Sequence, residues 1–365
     1  MKRIVLIAGL ALMLLAACEP AHQTARRASA VSARPTPTAS STNKPTWTAR
    51  PPYLTQRTHI RLLASGGAGL ELIDIDTGTM RILVRPSDAN GDVWGMYKVA
   101  GGVIAKGSDD MTGDGAPRHN VWYIPNGATP QARLLGPATA VVDEPAGGIW
   151  LVDMPNNSGG FGSGTVTLVD TQGELVRRGT AHCCQSFEAS LGNGRFVTEK
   201  QEGHQGPPNY GYQGLTVYDV FSKRTIRRLT PPGTDAEFLR MEGRAAVWKP
   251  YECKDPCLEH VTDTTNGRDH TRRWNDWLMS PDGAHRAKTS GPDEARSLLV
   301  DGTALSNGAT DEYATVEWAP DSSWLIFERP DREHLGLWRV GSPAAVTARR
   351  TFSIFYGDWT VFDQR

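Results

Sequence analysis

The sequence predicts an all-β fold, namely a seven-bladed β-propeller whose first blade is closed by the C-terminal strand. Three acidic-aromatic pairs recur at one spacing (317 − 276 = 41 and 358 − 317 = 41): Asp276-Trp277, Glu317-Trp318 and Asp358-Trp359. A fixed period of this length is typical of repeat folds. Short alternating strands separated by Gly-rich turns recur at similar intervals, as four-stranded propeller blades require. The last pair opens a strand with no repeat after it, and the first repeat lacks an opening strand, so we expect the two to pair.

The composition supports this fold class and argues against some partners. The chain has 365 residues, with 38 Gly, 24 Pro and 11 Trp. Little helical periodicity occurs after the first residues, which favours many short strands. The formal net charge is −1, and it becomes −3 without Lys2 and Arg3. Because no basic, aromatic-rich patch is evident, a nucleic-acid partner is not expected.

The N-terminus has the pattern of an export signal. Lys2 and Arg3 precede an apolar run over residues 4–15, which is too short to span a bilayer comfortably. The run closes with Leu15-Ala16-Ala17-Cys18, which resembles the bacterial lipobox. This resemblance implies that residues 1–17 are a lipoprotein signal peptide and that Cys18 carries the lipid. The alternative is an ordinary secretory signal. Lipidation would anchor the protein in the cell membrane, facing the extracytoplasmic side.

Residues 18–52 are predicted to be a disordered, lipid-anchored linker. They are rich in Ala, Ser, Thr, Pro and Arg, as in Arg34-Pro35-Thr36-Pro37-Thr38. Such a segment has too little apolar surface to fold on its own. The β-propeller domain is therefore predicted to cover residues 53–365.

Each predicted blade has a tight turn between its first and second strands and another between its third and fourth. Because neighbouring strands run in opposite directions, all these turns lie on one face, the short-turn face. The loops between second and third strands and the links between blades lie on the opposite face, the long-loop face. The predicted turns are Asp76-Thr77-Gly78, Gly101-Gly102, Asn126-Gly127, Gly147-Gly148, Gln172-Gly173, Asn193-Gly194, Ser222-Lys223, Glu242-Gly243, Asn266-Gly267, Asp282-Gly283, Asp301-Gly302, Asp321-Ser322 and Gly341-Ser342.

Two of the repeats resemble a known family. Ser280-Pro281-Asp282-Gly283 and the segment from Trp318 to Phe327 look like the repeat of TolB-like, WD40-like propellers, roughly Trp-Ser-Pro-Asp-Gly followed by an apolar strand. In the second copy Ser322 replaces the Gly. The resemblance implies a fold and no particular activity, because Pro-Asp-Gly sets a turn and Trp packs between blades. We therefore expect the repeated tryptophans to be packing residues.

The candidate ligand-binding residues lie in three long loops of the long-loop face. Function often resides in loops held by a rigid scaffold, although tolerated surface variation would look the same. The three aspartates of the first loop do not follow the EF-hand spacing, so no metal is expected. The candidates are Asp109, Asp110 and Asp114 in the first loop, Asn156, Asn157 and Phe161 in the second, and His204, Tyr210 and Tyr212 in the third.

Four cysteines remain once Cys18 is set aside, and an exported chain is expected to oxidise them. Cys183, Cys184, Cys253 and Cys257 allow three pairings, and the sequence leaves all three open. A metal site at these cysteines is an alternative, but the spacing matches no standard zinc motif.

No catalytic motif of the common hydrolases, zinc peptidases or nucleotide-binding enzymes occurs. We therefore predict a non-catalytic, monomeric propeller lipoprotein without a cofactor, which binds a protein, peptide or envelope ligand through its long-loop face. The alternative is an extracytoplasmic propeller enzyme, either a hydrolase or lyase, or a quinoprotein-like oxidoreductase. The adjacent Cys183 and Cys184 motivate the latter.

Overall fold

The chain divides into two units, Met1–Ala49 and Arg50–Arg365. All residues that a computed structural model describes belong to the second unit. Among them, no helix has the length and apolar character needed to cross a membrane. The described residues are 52–66, 69–85, 93–107, 119–154, 163–181, 185–202, 212–253, 256–292, 296–310, 314–331, 333–349 and 359–364.

The second unit is an all-β fold of seven four-stranded antiparallel sheets, which form the blades of a seven-bladed propeller. Blade 2 begins at the fourth strand along the chain, and blades 2 to 7 each use four consecutive strands. The described residues form the strands β1 (Ile60–Gly66), β2 (Gly69–Asp74), β3 (Met80–Val84), β4 (Val93–Val99), β5 (Gly102–Gly107), β6 (His119–Pro125), β7 (Arg133–Ala138), β8 (Ala140–Asp143), β9 (Ile149–Asp153), β10 (Gly164–Val169), β11 (Leu175–Ala181), β12 (Gln185–Gly192), β13 (Arg195–Glu202), β14 (Tyr212–Asp219), β15 (Arg224–Arg228), β16 (Ala236–Glu242), β17 (Ala245–Pro250), β18 (Leu258–Asp263), β19 (Asp269–Arg273), β20 (Leu278–Met279), β21 (Arg286–Ser290), β22 (Arg296–Val300), β23 (Thr303–Thr310), β24 (Val316–Trp318), β25 (Trp324–Glu328), β26 (Leu335–Arg339), β27 (Val346–Thr347) and β28 (Trp359–Gln364).

Blade 1 is completed by the last strand, in the order β28-β1-β2-β3, as the sequence predicted. β28 runs antiparallel to β1, with Leu62 opposite Val361. Trp359, Val361 and Phe362 are buried. The buried Arg61 pairs with Asp363 and also donates to two main-chain carbonyls of blade 2. The C-terminal strand therefore joins blade 1 to both of its neighbours.

The predicted turns all join a first strand to a second or a third strand to a fourth. Asn193 and Gly194 illustrate the chemistry, since both have positive φ angles (56° and 73°). Two consecutive residues with positive φ are what a tight hairpin needs, and Asn-Gly accepts them easily. The division into a short-turn face and a long-loop face is confirmed.

Apolar clusters join six of the seven neighbouring pairs of blades. Blades 6 and 7, for example, share a cluster that contains Leu298, Trp318 and Leu325. The other clusters join blades 7 and 1, 1 and 2, 2 and 3, 3 and 4, and 4 and 5. Within the described part of the chain, no cluster of buried apolar residues joins blades 5 and 6. We call this junction the seam.

Outer-strand arginines provide a second kind of contact between blades. In blades 1, 2 and 3, an arginine of the fourth strand reaches the outer turn of the next blade. No arginine of β19 makes such a contact with blade 6 in the described residues. The contacts that are made are Arg81 with the carbonyl of Pro130, Arg133 with the carbonyl of Thr171, and Arg177 with the ring of Phe221.

A candidate binding cleft between blades 5 and 6

The side of blade 5 that faces the seam carries charges. Trp248 and His260 stack on each other on the side that packs against blade 4. Because strand residues alternate between faces, Glu259 points to the opposite side, towards blade 6. Its carboxylate is almost fully buried and pairs with Arg240 and with Arg272.

Glu242 extends this network, since it accepts hydrogen bonds from both arginines. The bonds from Arg272 and Arg240 lower the pKa of Glu242. An ion-pair network therefore lies on this side of blade 5. Val247 and Val261 on the same side are also buried, but neither belongs to an apolar cluster shared with blade 6 in the described residues.

A cleft of about 700 Å³ lies beside this network, at the long-loop face. It lies where β19 passes into blade 6. Cys253 and Cys257, from the connection between β17 and β18, also border it. Its volume is within the range of known small-molecule sites. The cleft is lined by Cys253, Cys257, Arg273, Trp274, Asn275, Asp276, Trp277, Arg286 and Lys288.

Trp274 is held at one wall of the cleft by backbone and ring contacts. Its backbone N–H donates to the carbonyl of Cys257 at 2.9 Å. Cys257 forms a disulfide with Cys253, so the segment that holds Trp274 is itself cross-linked. The Nζ atom of Lys249 lies 5.3 Å from the centre of the Trp274 ring. The indole is nevertheless 38% exposed, so it is positioned and still accessible.

Trp277 forms the other wall together with cations of β21. The guanidinium carbon of Arg286 lies 4.6 Å from the ring centre, and Nζ of Lys288 lies 4.9 Å from it. Contacts of this kind are cation–π interactions. Lys288 also pairs with Asp276 at 3.4 Å. Trp277 is only half-buried, in contrast to the packing role expected for it.

The cleft is positively charged. Its described lining residues include Arg273, Arg286 and Lys288 and one carboxylate, that of Asp276, which gives 3 − 1 = +2 for this part of the lining. Within the described residues, neither the Arg273 nor the Arg286 guanidinium pairs with a carboxylate. Guanidinium groups bind carboxylates and phosphates through a fixed fork of donors. The arrangement suits an anionic ligand that also presents a flat apolar face.

A second cavity, of about 300 Å³, lies among the first strands of blades 2, 3 and 4. Tyr97, Asp143 and Glu188 contribute to its lining. First strands lie at the centre of the ring, since Lys98 of blade 2 bonds Glu317 of blade 7 at 2.7 Å. This cavity is therefore at the inner edge of the blades.

Glu188 has the most distinctive carboxyl of this inner cavity. The register of β12 against β13 shifts between Phe187 and Ala189, so Glu188 occupies a bulge. Bulges re-aim a side chain away from the regular pleat. Burial, together with the smaller effect of the nearby Glu199 charge, raises the pKa of Glu188 from 4.5 to about 7. A carboxyl group with a pKa near 7 is suited to proton transfer.

Most of the residues predicted for the site lie outside the described part of the chain, and those predictions stay untested. Tyr212 lies in β14 opposite Glu202, but its side chain is not described. The residues outside the described part are Cys18, Asp109, Asp110, Asp114, Asn156, Asn157, Phe161, Cys183, Cys184, His204 and Tyr210.

The two remaining predicted residues, Cys253 and Cys257, form a disulfide, with Cα atoms 5.3 Å apart. This is one of the pairings that the sequence left open. It also places both residues at the cleft. In the described part of the chain, no group of three or more His, Cys, Asp or Glu side chains is arranged to hold a metal ion.

Sequence reasoning missed the two tryptophans and the arginines of the cleft. Trp277 belongs to the repeated acidic-aromatic pairs, and for that reason it was assigned to packing. Trp318 and Trp359 do have that role, since they are 5% and 3% exposed. The three pairs are equally spaced. The spacing therefore does not show that Trp277 is less buried by its neighbouring blade than the other two tryptophans are. Glu188 was also missed, because a bulge has no readable signature in a single strand.

No protein-family model matches the chain, and no curated protein matches it either. Among solved structures, the β-propeller domain of the trilobed protease from Pyrococcus furiosus is 9% identical over 77% of this chain and 90% of its own, with a TM-score of 0.48. The periplasmic gluconolactonase of Pseudomonas aeruginosa is 12% identical over 84% and 99%, with a TM-score of 0.47. TolB from Acinetobacter baumannii is 11% identical over 81% and 79%, with a TM-score of 0.39. These likenesses concern the fold alone.

Proposed function

We propose that this chain is a non-catalytic binding lipoprotein, which displays its propeller outside the cytoplasmic membrane and holds an envelope ligand in the cleft between blades 5 and 6. The ligand is a protein, a peptide or a polymer of the envelope. Leu15-Ala16-Ala17-Cys18 supports the lipid anchor and the location. The composition of residues 18–52, rich in Ala, Ser, Thr and Pro, supports the linker.

The observation that carries this proposal is the open seam. Among the described residues, the exposed Trp274, the half-buried Trp277 and Arg286, which pairs with no carboxylate, line a cleft at the junction that has no shared apolar cluster. Aromatic and arginine side chains dominate the energetics of known binding surfaces. The disulfide and the hydrogen bond from Trp274 hold the wall in place, and such preorganisation lowers the entropy lost on binding.

A second candidate function, that of a hydrolase or lyase, is favoured by Glu188. Its raised pKa in a cavity is the property expected of a general acid or base. Such activity would show a pH midpoint near 7 and would disappear in Glu188→Gln. If a broad panel of glycan and peptide substrates gives no turnover that depends on Glu188, the catalytic alternative fails.

The binding proposal is tested by comparing two matched variants of the full-length protein, purified in detergent. Trp274→Ala removes an indole that is 38% exposed in the cleft, and Phe221→Ala removes a ring that is 42% exposed on the short-turn face. Each protein is immobilised and used to capture components of a solubilised envelope fraction. We expect Trp274→Ala to reduce the recovered ligand at least ten-fold and Phe221→Ala to leave it unchanged.

Two results would contradict the proposal. If Trp274→Ala captures as much as the unaltered protein, the cleft is not the binding site. If Phe221→Ala alone reduces capture, the ligand binds the short-turn face. Circular dichroism of both variants establishes that each remains folded.

A further inference from the structure

We infer that the cleft between blades 5 and 6 binds an acidic oligosaccharide, in which a sugar carboxylate pairs with Arg286 while a ring face packs on Trp274. This inference rests on the proposed binding function and names the chemical class of the ligand. It follows from the charge of the cleft, from its exposed indole and from its position between two blades.

The anionic part of the ligand follows from Arg286. Arg286 begins β21 in blade 6 and points away from blade 7, because the next residue, Ala287, packs towards that blade. Its guanidinium pairs with no carboxylate of the described residues. Arg273 also lines the cleft, but it follows Arg272, which pairs with Glu259 on the side of β19 that faces blade 6, so the Arg273 side chain points to the other side. A carboxylate of a ligand is therefore the natural partner of Arg286.

The sugar ring follows from the indole surface. Trp274 has a cation near its ring, from Lys249, and is still 38% exposed. A flat indole is a packing surface for a flat apolar group. The ring of an acidic sugar combines both requirements in one residue, because it has an apolar C–H face and a carboxylate at its edge.

An acidic peptide satisfies only part of this arrangement. Asp and Glu side chains have carboxylates for Arg286, but they have no flat apolar face for Trp274. The cleft volume of about 700 Å³ also corresponds to a short oligomer of a few sugar rings. The combination of Arg286 and Trp274 therefore favours the acidic sugar over the acidic peptide.

Binding across the seam should also stabilise the ring. A ligand that contacts Trp274, which is held by blade 5, and Arg286 in blade 6 joins two blades that share no apolar cluster in the described residues. A ligand that binds only the folded state adds RT ln(1 + [L]/Kd) to the free energy of unfolding and therefore raises the melting temperature. A thermal shift is thus a second readout of the same contact.

The test uses three defined probes and the full-length protein in detergent. Trigalacturonic acid is the acidic sugar, galactotriose is its neutral counterpart, and hexaglutamate is the acidic peptide. Binding is measured by titration calorimetry and by thermal shift, at low and at high salt. We expect trigalacturonic acid to bind at least ten-fold more tightly than either other probe, more weakly at high salt, and to raise Tm.

Matched variants locate the site. Arg286→Gln should weaken binding of trigalacturonic acid at least ten-fold, because it removes the guanidinium fork. Trp274→Ala should do the same by removing the ring face. Arg178→Gln is the control, since Arg178 is an exposed arginine on β11, on blade 3, and the change in charge is identical.

Several outcomes would overturn the inference. Equal binding of hexaglutamate would make the ligand an acidic peptide, and equal binding of galactotriose would remove the role of the carboxylates. Equal weakening by Arg178→Gln would indicate nonspecific attraction of anions. If trigalacturonic acid does not bind but capture of an envelope ligand still depends on Trp274, the sugar inference fails and the binding proposal stands. If both fail, the cleft is not a binding site.

Discussion

Removing the C-terminal strand should unfold the whole propeller, because β28 supplies the innermost strand of blade 1. The perturbation is a deletion of residues 359–365. It removes three buried apolar side chains, those of Trp359, Val361 and Phe362. It also removes Asp363, the carboxylate that pairs with the buried Arg61.

The magnitude follows from these losses. Removing a buried Trp or Phe side chain costs about 3–5 kcal/mol each, and a buried charge that loses its partner costs about 3–5 kcal/mol. The sum, roughly 9–15 kcal/mol, is as large as the whole stability of a typical domain. The truncated chain should therefore show no cooperative unfolding transition near the melting temperature of the intact protein.

The assay is thermal unfolding followed by circular dichroism, with a shorter deletion as the control. Removing only Gln364 and Arg365 keeps Asp363 and the three buried side chains, so this variant should retain most of the stability. A protein that lacks residues 359–365 and still melts within about 5 °C of the intact chain would refute the reasoning. For a folded unit of this size, such a shift corresponds to about 3–4 kcal/mol, well below the loss expected here.

Two further predictions concern buried carboxyl groups. The pKa of Glu188 is raised from 4.5 to about 7, so ionisation of this group costs stability as the pH rises through that interval. The full difference corresponds to about 3 kcal/mol, which partial solvent exposure reduces to about 1–2 kcal/mol. Glu188→Gln should therefore stabilise the protein at pH 8 and have little effect at pH 4, and urea unfolding that shows the same change at both pH values would contradict this. Glu259→Gln leaves Arg240 and Arg272 without their shared buried carboxylate. It should cost about 2–3 kcal/mol at pH 7 in urea unfolding, and a loss under about 0.5 kcal/mol would mean that the network contributes nothing to blade 5.

The fold could be predicted because its signals are local. A strand of alternating residues and a turn such as Asn193-Gly194 are each readable within a few residues. The ring closure also followed from local signals, since an opening strand was missing at one end and present at the other. One of the two shortest described strands, β20 (Leu278–Met279), was readable only because the Ser280-Pro281-Asp282-Gly283 turn follows it directly.

The candidate cleft could not be predicted, because it depends on which face of a strand meets which neighbour. Alternation shows that Glu259 and His260 point to opposite sides of β18. It does not show that His260 faces the apolar cluster of blade 4 while Glu259 faces the seam. Arg273 and Arg286 are separated by twelve residues that include a blade boundary, so only the folded ring brings them to one cleft. The candidate residues predicted from the sequence were chosen because they lie in long loops. The length of a loop does not show which side chains pack together.

The repeated tryptophans show how one position in a repeat acquires two roles. Trp318 donates its indole N–H to the carbonyl of Leu278 at 3.2 Å, in the preceding blade, and Trp359 donates to Glu328 at 2.6 Å, again in the preceding blade. Both are buried by that neighbour. Trp277 holds the equivalent position, but its preceding blade is blade 5, whose facing side carries an ion-pair network. The indole of Trp277 instead contacts cations of β21 and is half-buried. One position of the repeat thus packs between blades in two copies and lines the proposed binding cleft in the third.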